Sequence, residues 1–351
     1  MAHLTMDRLT KKYTKASYAV REVSLEIQKG ETMVLVGPSG CGKSTTLRMV
    51  AGLEIPTSGR VFFSDKDVTD LPPEKRDVGM VFQNYALFAN MTVAQNIAFG
   101  LEMRKASKDR ISQQVLAMMK MMGITELAER KPTQLSGGQQ QRVAFARALA
   151  IEPEYLLLDE PLTALDAKLR DNLRVELARL LKELSITALY VTHDLTEAMA
   201  LGDRIVVMNA GQIQQCSTPR QIYHNPANAF VANFIGRTNC YHGVLKTCDG
   251  GGWIADTGFA SFPAACDPGN KEVVVIFRPE DVRIAGPGEE PHLVAQITDV
   301  LFLGPRIRGI GRLTGGEEMV MDLDNSVGIR PGDTVGFCIR PGQIVVRAAE
   351  D

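Results

Sequence analysis

The stretch Gly37-Pro38-Ser39-Gly40-Cys41-Gly42-Lys43-Ser44-Thr45 decides how the rest of this sequence is read. It follows the apolar run Met33–Val36 and leads into a helical pattern. Its glycines let the backbone curl so that successive N–H groups point inward, at the positive end of the following helix. In the spacing G-x-x-x-x-G-K-S, Lys43 reaches β- and γ-phosphates and Ser44 offers a hydroxyl to Mg²⁺. The expected ligand is a nucleoside triphosphate, with Gly37 to Thr45 as its phosphate cradle.

Working outward, Tyr155-Leu156-Leu157-Leu158-Asp159-Glu160 is an apolar strand that ends on two acids. Asp159 is placed to hold Mg²⁺ through water, as the second acid of such a site does. Glu160 is placed to polarise a water against the γ-phosphate, which makes the site hydrolytic. Leu135-Ser136-Gly137-Gly138-Gln139 opens the helical run Gln140–Leu149. It reads either as an ordinary serine N-cap or as a second anion-binding nest. A second nest needs a phosphate of its own, and a head-to-tail homodimer supplies one: each nest serves the partner's nucleotide.

The chain has 351 residues, enough for about two domains of roughly 150 residues. Its 39 basic and 41 acidic residues leave a net charge of −2, without the basic excess of a general nucleic-acid binder. Hydrophobic residues make up 45% and charged ones 23%, a globular rather than a disordered balance. No run approaches the roughly 18 apolar residues of a membrane span. The start, Met-Ala-His-Leu-Thr-Met-Asp-Arg, has no apolar signal core, so an intracellular chain is expected. The six cysteines form no C-x-x-C pair and are expected to be reduced thiols without a zinc site.

Residues 1–235 alternate apolar runs with helical patterns, as a mostly parallel sheet with crossover helices does. Strands are expected over Met33–Val36, Tyr155–Leu158, Ala188–Val191 and Ile205–Met208. Between Asp166 and Leu184, Leu169, Leu173, Leu177, Leu180, Leu181 and Leu184 share one helix face. Residues 87–150 read as an inserted helical subdomain, with Met118–Met122 as core filler. Past Gly236, Gly and Pro punctuate short Val/Ile/Phe runs, the pattern of an all-β domain. Val274–Pro279 and Gly336–Pro341 each run a strand into Arg-Pro and then into another strand, 62 residues apart, which suggests two related halves.

These motifs together resemble the ABC-transporter ATPases. Leu135–Gln139 resembles their signature motif, and Gln83 in Val81-Phe82-Gln83-Asn84-Tyr85 their Q-loop. Ala164-Leu165-Asp166 is similar to the D-loop, His193 in Val191–Asp194 to the switch histidine, and Tyr13 to the aromatic that stacks on adenine. The fold so implied is an α/β P-loop ATPase of the ABC type with a helical subdomain, over 1–235. An all-β oligonucleotide-binding-like (TOBE) regulatory domain follows over 236–351.

The resemblance implies ATP and Mg²⁺ as ligands, with Gln83 touching the metal and the water. His193 would contact the γ-phosphate and position Glu160, while Ser136, Gly137, Gly138, Gln139 and Asp166 complete the partner subunit's site. Arg76–Phe88 and Leu165–Arg170 resemble importer ATPases of the maltose and glycerol-phosphate type. A peripheral homodimer at the cytoplasmic face of the inner membrane is therefore expected, under two integral-membrane permease subunits fed by a solute-binding protein. Gln83–Thr92 would receive the permeases. Carbohydrate or glycerol phosphate leads as solute, with polyamine, ferric iron, phosphonate or sulfate as alternatives. A soluble non-transport ABC ATPase or a ligand-sensing regulator is the alternative of another class.

Residues 236–351 hold 11 basic and 16 acidic residues, a net of −5, which argues against nucleic acid despite that domain's usual name. Ala89-Asn90, Leu195 and Cys216-Ser217 depart from the usual family pattern away from the catalytic positions. Cys41 is expected to react with alkylating reagents, with bound ATP protecting it.

Overall fold

Apolar runs buried on both faces become the centre of a parallel sheet in the first of the chain's two units, Met1–Pro219; the second is Arg220–Asp351. The computed structural model describes residues 3–14, 17–163, 167–247, 252–264 and 271–349.

The first unit runs β1 (Leu4–Lys12), β2 (Tyr18–Ile27), β3 (Thr32–Val36), α1 (Lys43–Ala51), β4 (Ser58–Phe63), β5 (Lys66–Asp67) and β6 (Val78–Val81). Then come α2 (Val93–Met103), α3 (Lys108–Met121), α4 (Gly137–Ala150), β7 (Tyr155–Asp159) and α5 (Ala167–Leu184). It closes with β8 (Thr187–Val191), α6 (Leu195–Leu201), β9 (Arg204–Asn209) and β10 (Gln212–Ser217). One sheet has the order β10-β9-β3-β8-β7-β6, parallel from β9 to β6 with β10 antiparallel at the edge. Every residue of β3, β7 and β8 is buried. All four expected strands lie within this sheet.

A second, antiparallel sheet in the order β2-β1-β4-β5 departs from the mostly parallel expectation. Its signal was hidden by bulges. Arg8 and Glu22 take left-handed φ of 47° and 50°, and the β1–β2 register slips between Met6 and Leu9. The buried positions Val20 and Val23 are therefore three residues apart, and the two-residue alternation is lost.

Helices α2, α3 and α4 occupy the expected helical stretch. Thr92 and Gln95 close a capping box on α2, and Ser107 caps α3. Met118, Met119 and Met122 are buried, while Met121 is 46% exposed. On α5, Leu173, Leu177 and Leu181 are buried and Leu184 is not; the Leu169 side chain lies outside the described residues. At Gly79 a Cβ would meet Ala148 O at 2.6 Å, so only glycine lets α4 lie this close to β6.

The second unit takes up α7 (Pro219–His224), α8 (Ala229–Ile235), β11 (Asn239–Thr247), β12 (Trp253–Asp256), β13 (Ser261–Ala264) and β14 (Glu272–Phe277). It continues through β15 (Val282–Ile284), β16 (Leu293–Phe302), β17 (Arg306–Leu313), β18 (Glu318–Asp324), β19 (Thr334–Ile339) and β20 (Val345–Ala348). The strands form two five-stranded sheets, β13-β12-β11-β14-β20 and β15-β19-β16-β17-β18. The chain divides at Pro219 rather than near Gly236, because Arg278 ties both short helices to the β unit. Its guanidinium is 4% exposed and donates to Ala232 O, Gly236 O, Arg237 O and Tyr223 O at 2.8–3.2 Å.

The sequence echo has a structural counterpart. β14 pairs with β20 and β19 with β15, so the strand after each Arg-Pro crosses to the other repeat's strand. Ile276↔Val345 and Cys338↔Arg283 are the same pair after the 62-residue offset.

Candidate active site

The phosphate loop leaves β3 at Gly37 and enters α1 at Lys43. Gly42, the N-cap of α1, has φ 105°, and a Cβ there would lie 2.3 Å from Ala19 O. Only glycine fits. Ser39 and Gly40 are exposed at the rim, whereas Lys43 is 6% exposed. Its Nζ donates to Gly37 O at 2.7 Å and Pro38 O at 3.0 Å. The ammonium is thus held inside the loop by carbonyls, at the place where an anion would meet it. Ser44 and Thr45 occupy the first turn of α1, both half-buried.

Cys41 is 4% exposed beneath Gly37, and burial pushes its thiol pKa up although Lys43 pulls the other way. The thiolate is the reactive form, so burial slows the alkylation expected of this position.

Ser44 Oγ donates to Asp159 Oδ1 at 2.9 Å, joining the loop to the end of β7. Burial raises the pKa of Asp159, against the Ser44 hydrogen bond and Arg48. A desolvated carboxylate beside a hydroxyl is a hard oxygen donor set, and it suits a small divalent cation.

One residue on, Glu160 turns the chain with φ 46°, a left-handed conformation that costs a non-glycine residue about 1–2 kcal/mol. The turn brings its Oε2 within 3.3 Å of Gln83 Nε2, 3.2 Å of Thr163 Oγ1 and 2.9 Å of His193 Nδ1. A carboxylate only accepts, so the proton shared with His193 sits on the ring nitrogen when Glu160 is ionised. Gln83 and His193, distant in sequence, thus meet the neighbouring Thr163 on one oxygen.

Ser136 and Gln139 form a reciprocal capping box at the start of α4. Ser136 and Gly137 are exposed and Gly138 is buried. The N-cap reading is therefore the geometry seen: the Ser136 and Gln139 side chains close the box on each other's backbone N–H. Tyr13 is 59% exposed just past β1, with Lys11 Nζ at 5.6 Å from its ring centroid. Asp166, with Ala164 and Leu165, lies outside the described residues.

Several supporting residues escaped the sequence reading. Glu197, 1% exposed, accepts from Tyr190 Oη at 2.8 Å and Thr192 Oγ1 at 2.7 Å, and Thr192 Oγ1 accepts from Asp194 N at 3.0 Å. These bonds fix the backbone on both sides of His193. Asn96, fully buried, accepts from Phe88 N at 2.9 Å and donates to Phe88 O, Met91 O and Thr92 O, shaping the loop ahead of α2. Arg147 on α4 donates to Tyr85 O at 2.8 Å and Ala86 O at 2.6 Å. The available signal was a lone polar side chain in an otherwise buried helical run, as at Arg147 between Ala146 and Ala148.

Among the described residues, no helix is long and apolar enough to cross a membrane. Cys41, Cys216, Cys240 and Cys338 are free thiols; Cys248 and Cys266 lie outside the described residues.

Comparison with known proteins agrees with this geometry. Residues 20–163 match the ABC transporter family and residues 275–346 the TOBE domain. The spermidine/putrescine import ATP-binding protein PotA of Marinobacter nauticus is 43% identical over 325 residues, 90% of this chain and 86% of that protein. The sn-glycerol-3-phosphate import ATP-binding protein UgpC of Rhizobium meliloti is 46% identical over 323 residues, 91% and 90% of the two chains. The solved ATP-binding cassette MJ0796, a dimer in a post-hydrolysis state bound to ADP and Pi, is 34% identical with a TM-score of 0.56. It matches 62% of this chain and 99% of its own. The chain belongs to the ABC-transporter family, among the ATP-hydrolysing, TOBE-containing ATP-binding subunits of importers.

Proposed function

We propose that this subunit hydrolyses ATP with Glu160 as general base, as a head-to-tail homodimer that drives solute uptake through two membrane permease subunits. The observation that carries the catalytic assignment is the convergence of Gln83, Thr163 and His193 on Glu160 Oε2. Glu160 accepts a proton from the attacking water. His193 and Thr163 hold the carboxylate in place, and Gln83 sets the outer edge of the water's position. Lys43 exchanges its two carbonyl partners for phosphate oxygens when ATP enters, and the loop N–H groups from Gly40 to Thr45 take the remaining charge.

Ser44, Asp159 and Gln83 would hold Mg²⁺, which when bound supplies charge neutralisation at the phosphate oxygens. Tyr13 offers a stacking face for adenine. Ser136, Gly137, Gly138, Gln139 and Asp166 complete the site of the partner subunit, so hydrolysis requires two chains; MJ0796, solved as a dimer with ADP and Pi, supports that arrangement.

For the solute we propose glycerol phosphate or a carbohydrate, supported by the UgpC relatives. Polyamine is the second reading, favoured by PotA relatives of 43% identity. The test reconstitutes the subunit with its permeases in liposomes and measures ATP turnover with binding protein loaded by each solute. Stimulation by glycerol phosphate or a sugar alone supports the first reading. Stimulation by spermidine alone replaces it with the second.

A further inference from the structure

The loop that carries Gln83 holds an unexplained strain. Tyr85 and Ala86 are consecutive non-glycine residues at φ 61° and 45°, a backbone region that side chains disfavour. Tyr85 is 4% exposed, and its hydroxyl is buried without a hydrogen-bond partner among the described residues. A local turn alone does not keep such a conformation; the surroundings must impose it. The Arg147 guanidinium imposes it, donating to the carbonyls of both strained residues, Nη2 to Tyr85 O at 2.8 Å and Nη1 to Ala86 O at 2.6 Å. It also lies 5.6 Å from the Phe88 ring centroid. Arg147 extends from the helix whose first turn is the Ser136–Gln139 capping box, eleven residues after Ser136 and past the buried Val143–Ala146.

We propose that Arg147 is a positioning residue: its two-pronged hold on Tyr85 and Ala86 keeps the turn left-handed and thereby sets Gln83 beside Glu160. Gln83 is exposed and, among the described residues, its side chain bonds only to Glu160 Oε2, at 3.3 Å, so the backbone two residues on determines whether it arrives there. Helix α4 and Gln83 are then mechanically one piece. A displacement of the Ser136 turn is felt at the water-facing side of Glu160 through a single side chain. This inference rests on the role given to Gln83 above.

The test uses steady-state ATP hydrolysis by the full-length chain, with urea midpoints to establish folding. Arg147→Ala is expected to lower kcat about tenfold with KM for ATP changed less than about twofold, because positioning and not binding is lost. Adding Ala86→Gly, which adopts the left-handed turn without strain, is expected to recover most of that loss in the double variant. Rescue by a glycine outside helix α4, 61 residues away in sequence, is not what a general loss of helix packing produces. Should Arg147→Ala not fold, Arg147→Lys with and without Ala86→Gly carries the same comparison, since lysine holds one carbonyl where arginine holds two. A double variant as slow as its parent overturns the clamp, as does an Arg147→Ala enzyme with unchanged kcat beside a slow Gln83→Ala control. A Gln83→Ala enzyme of unchanged kcat instead overturns the role of Gln83, and this inference with it.

Discussion

At the scale of single residues, the site works by placing charge where water cannot screen it. Lys43 is nearly inaccessible and held by two carbonyls, and Asp159 is 7% exposed with a single hydroxyl partner. The raised pKa of Asp159 means that the folded chain binds this proton more tightly than the unfolded chain. Stability from this group is therefore fully present below its unfolded pKa and is lost as pH rises through its folded pKa. At neutral pH the ionised carboxylate costs stability in the absence of a cation. Asp159→Asn keeps an acceptor for Ser44 and removes the charge. Its urea midpoint is expected to exceed that of the wild type at neutral pH, the gap closing as the pH falls into the acid range, while hydrolysis is lost. A variant less stable than wild type at pH 7 without nucleotide contradicts this account of Asp159.

At the scale of elements, legibility followed burial pattern. The strands β3, β7 and β8 were visible because every residue is buried, leaving an unbroken apolar run. β1 and β2 were not, because left-handed residues at Arg8 and Glu22 break the alternation. The candidate site was legible wherever chemistry is compressed into a short motif, as in Gly37–Thr45 and Asp159-Glu160. Arg147 acts through the fold, on carbonyls about sixty residues away in sequence; Thr163 and Glu197 act over three to seven residues, through side-chain bonds that no motif spells out.

The boundary between the units shows the same limit: no local pattern announces that Arg278 reaches back to α7 and α8. Replacing it by alanine strands four carbonyls that its buried guanidinium now satisfies. Arg278→Ala is expected to cost about 3 kcal/mol, measured by denaturant unfolding of the full chain. Arg340, its counterpart in the sequence echo, is exposed and its substitution should cost under about 0.5 kcal/mol. Equal losses at both positions would contradict the role assigned to Arg278.

At the scale of the whole molecule, a chain with no membrane-spanning helix among its described residues belongs to a family whose relatives are named as import proteins. Its two units divide accordingly. The first carries the phosphate loop and the convergent carboxylate; the second contains a pair of crossed strand–Arg-Pro–strand repeats within two five-stranded sheets, and its residues 236–351 carry a net charge of −5. We assign Glu160 as the base at the junction of three segments. Glu160→Gln keeps the size and hydrogen-bonding reach of the side chain and removes its capacity to take a proton. The direct measurement is steady-state ATP turnover of the Glu160→Gln chain, beside its ATP binding and its mass by light scattering. The account predicts turnover reduced about 100-fold or more with ATP still bound and a dimer accumulating. Turnover near the wild-type rate would contradict it.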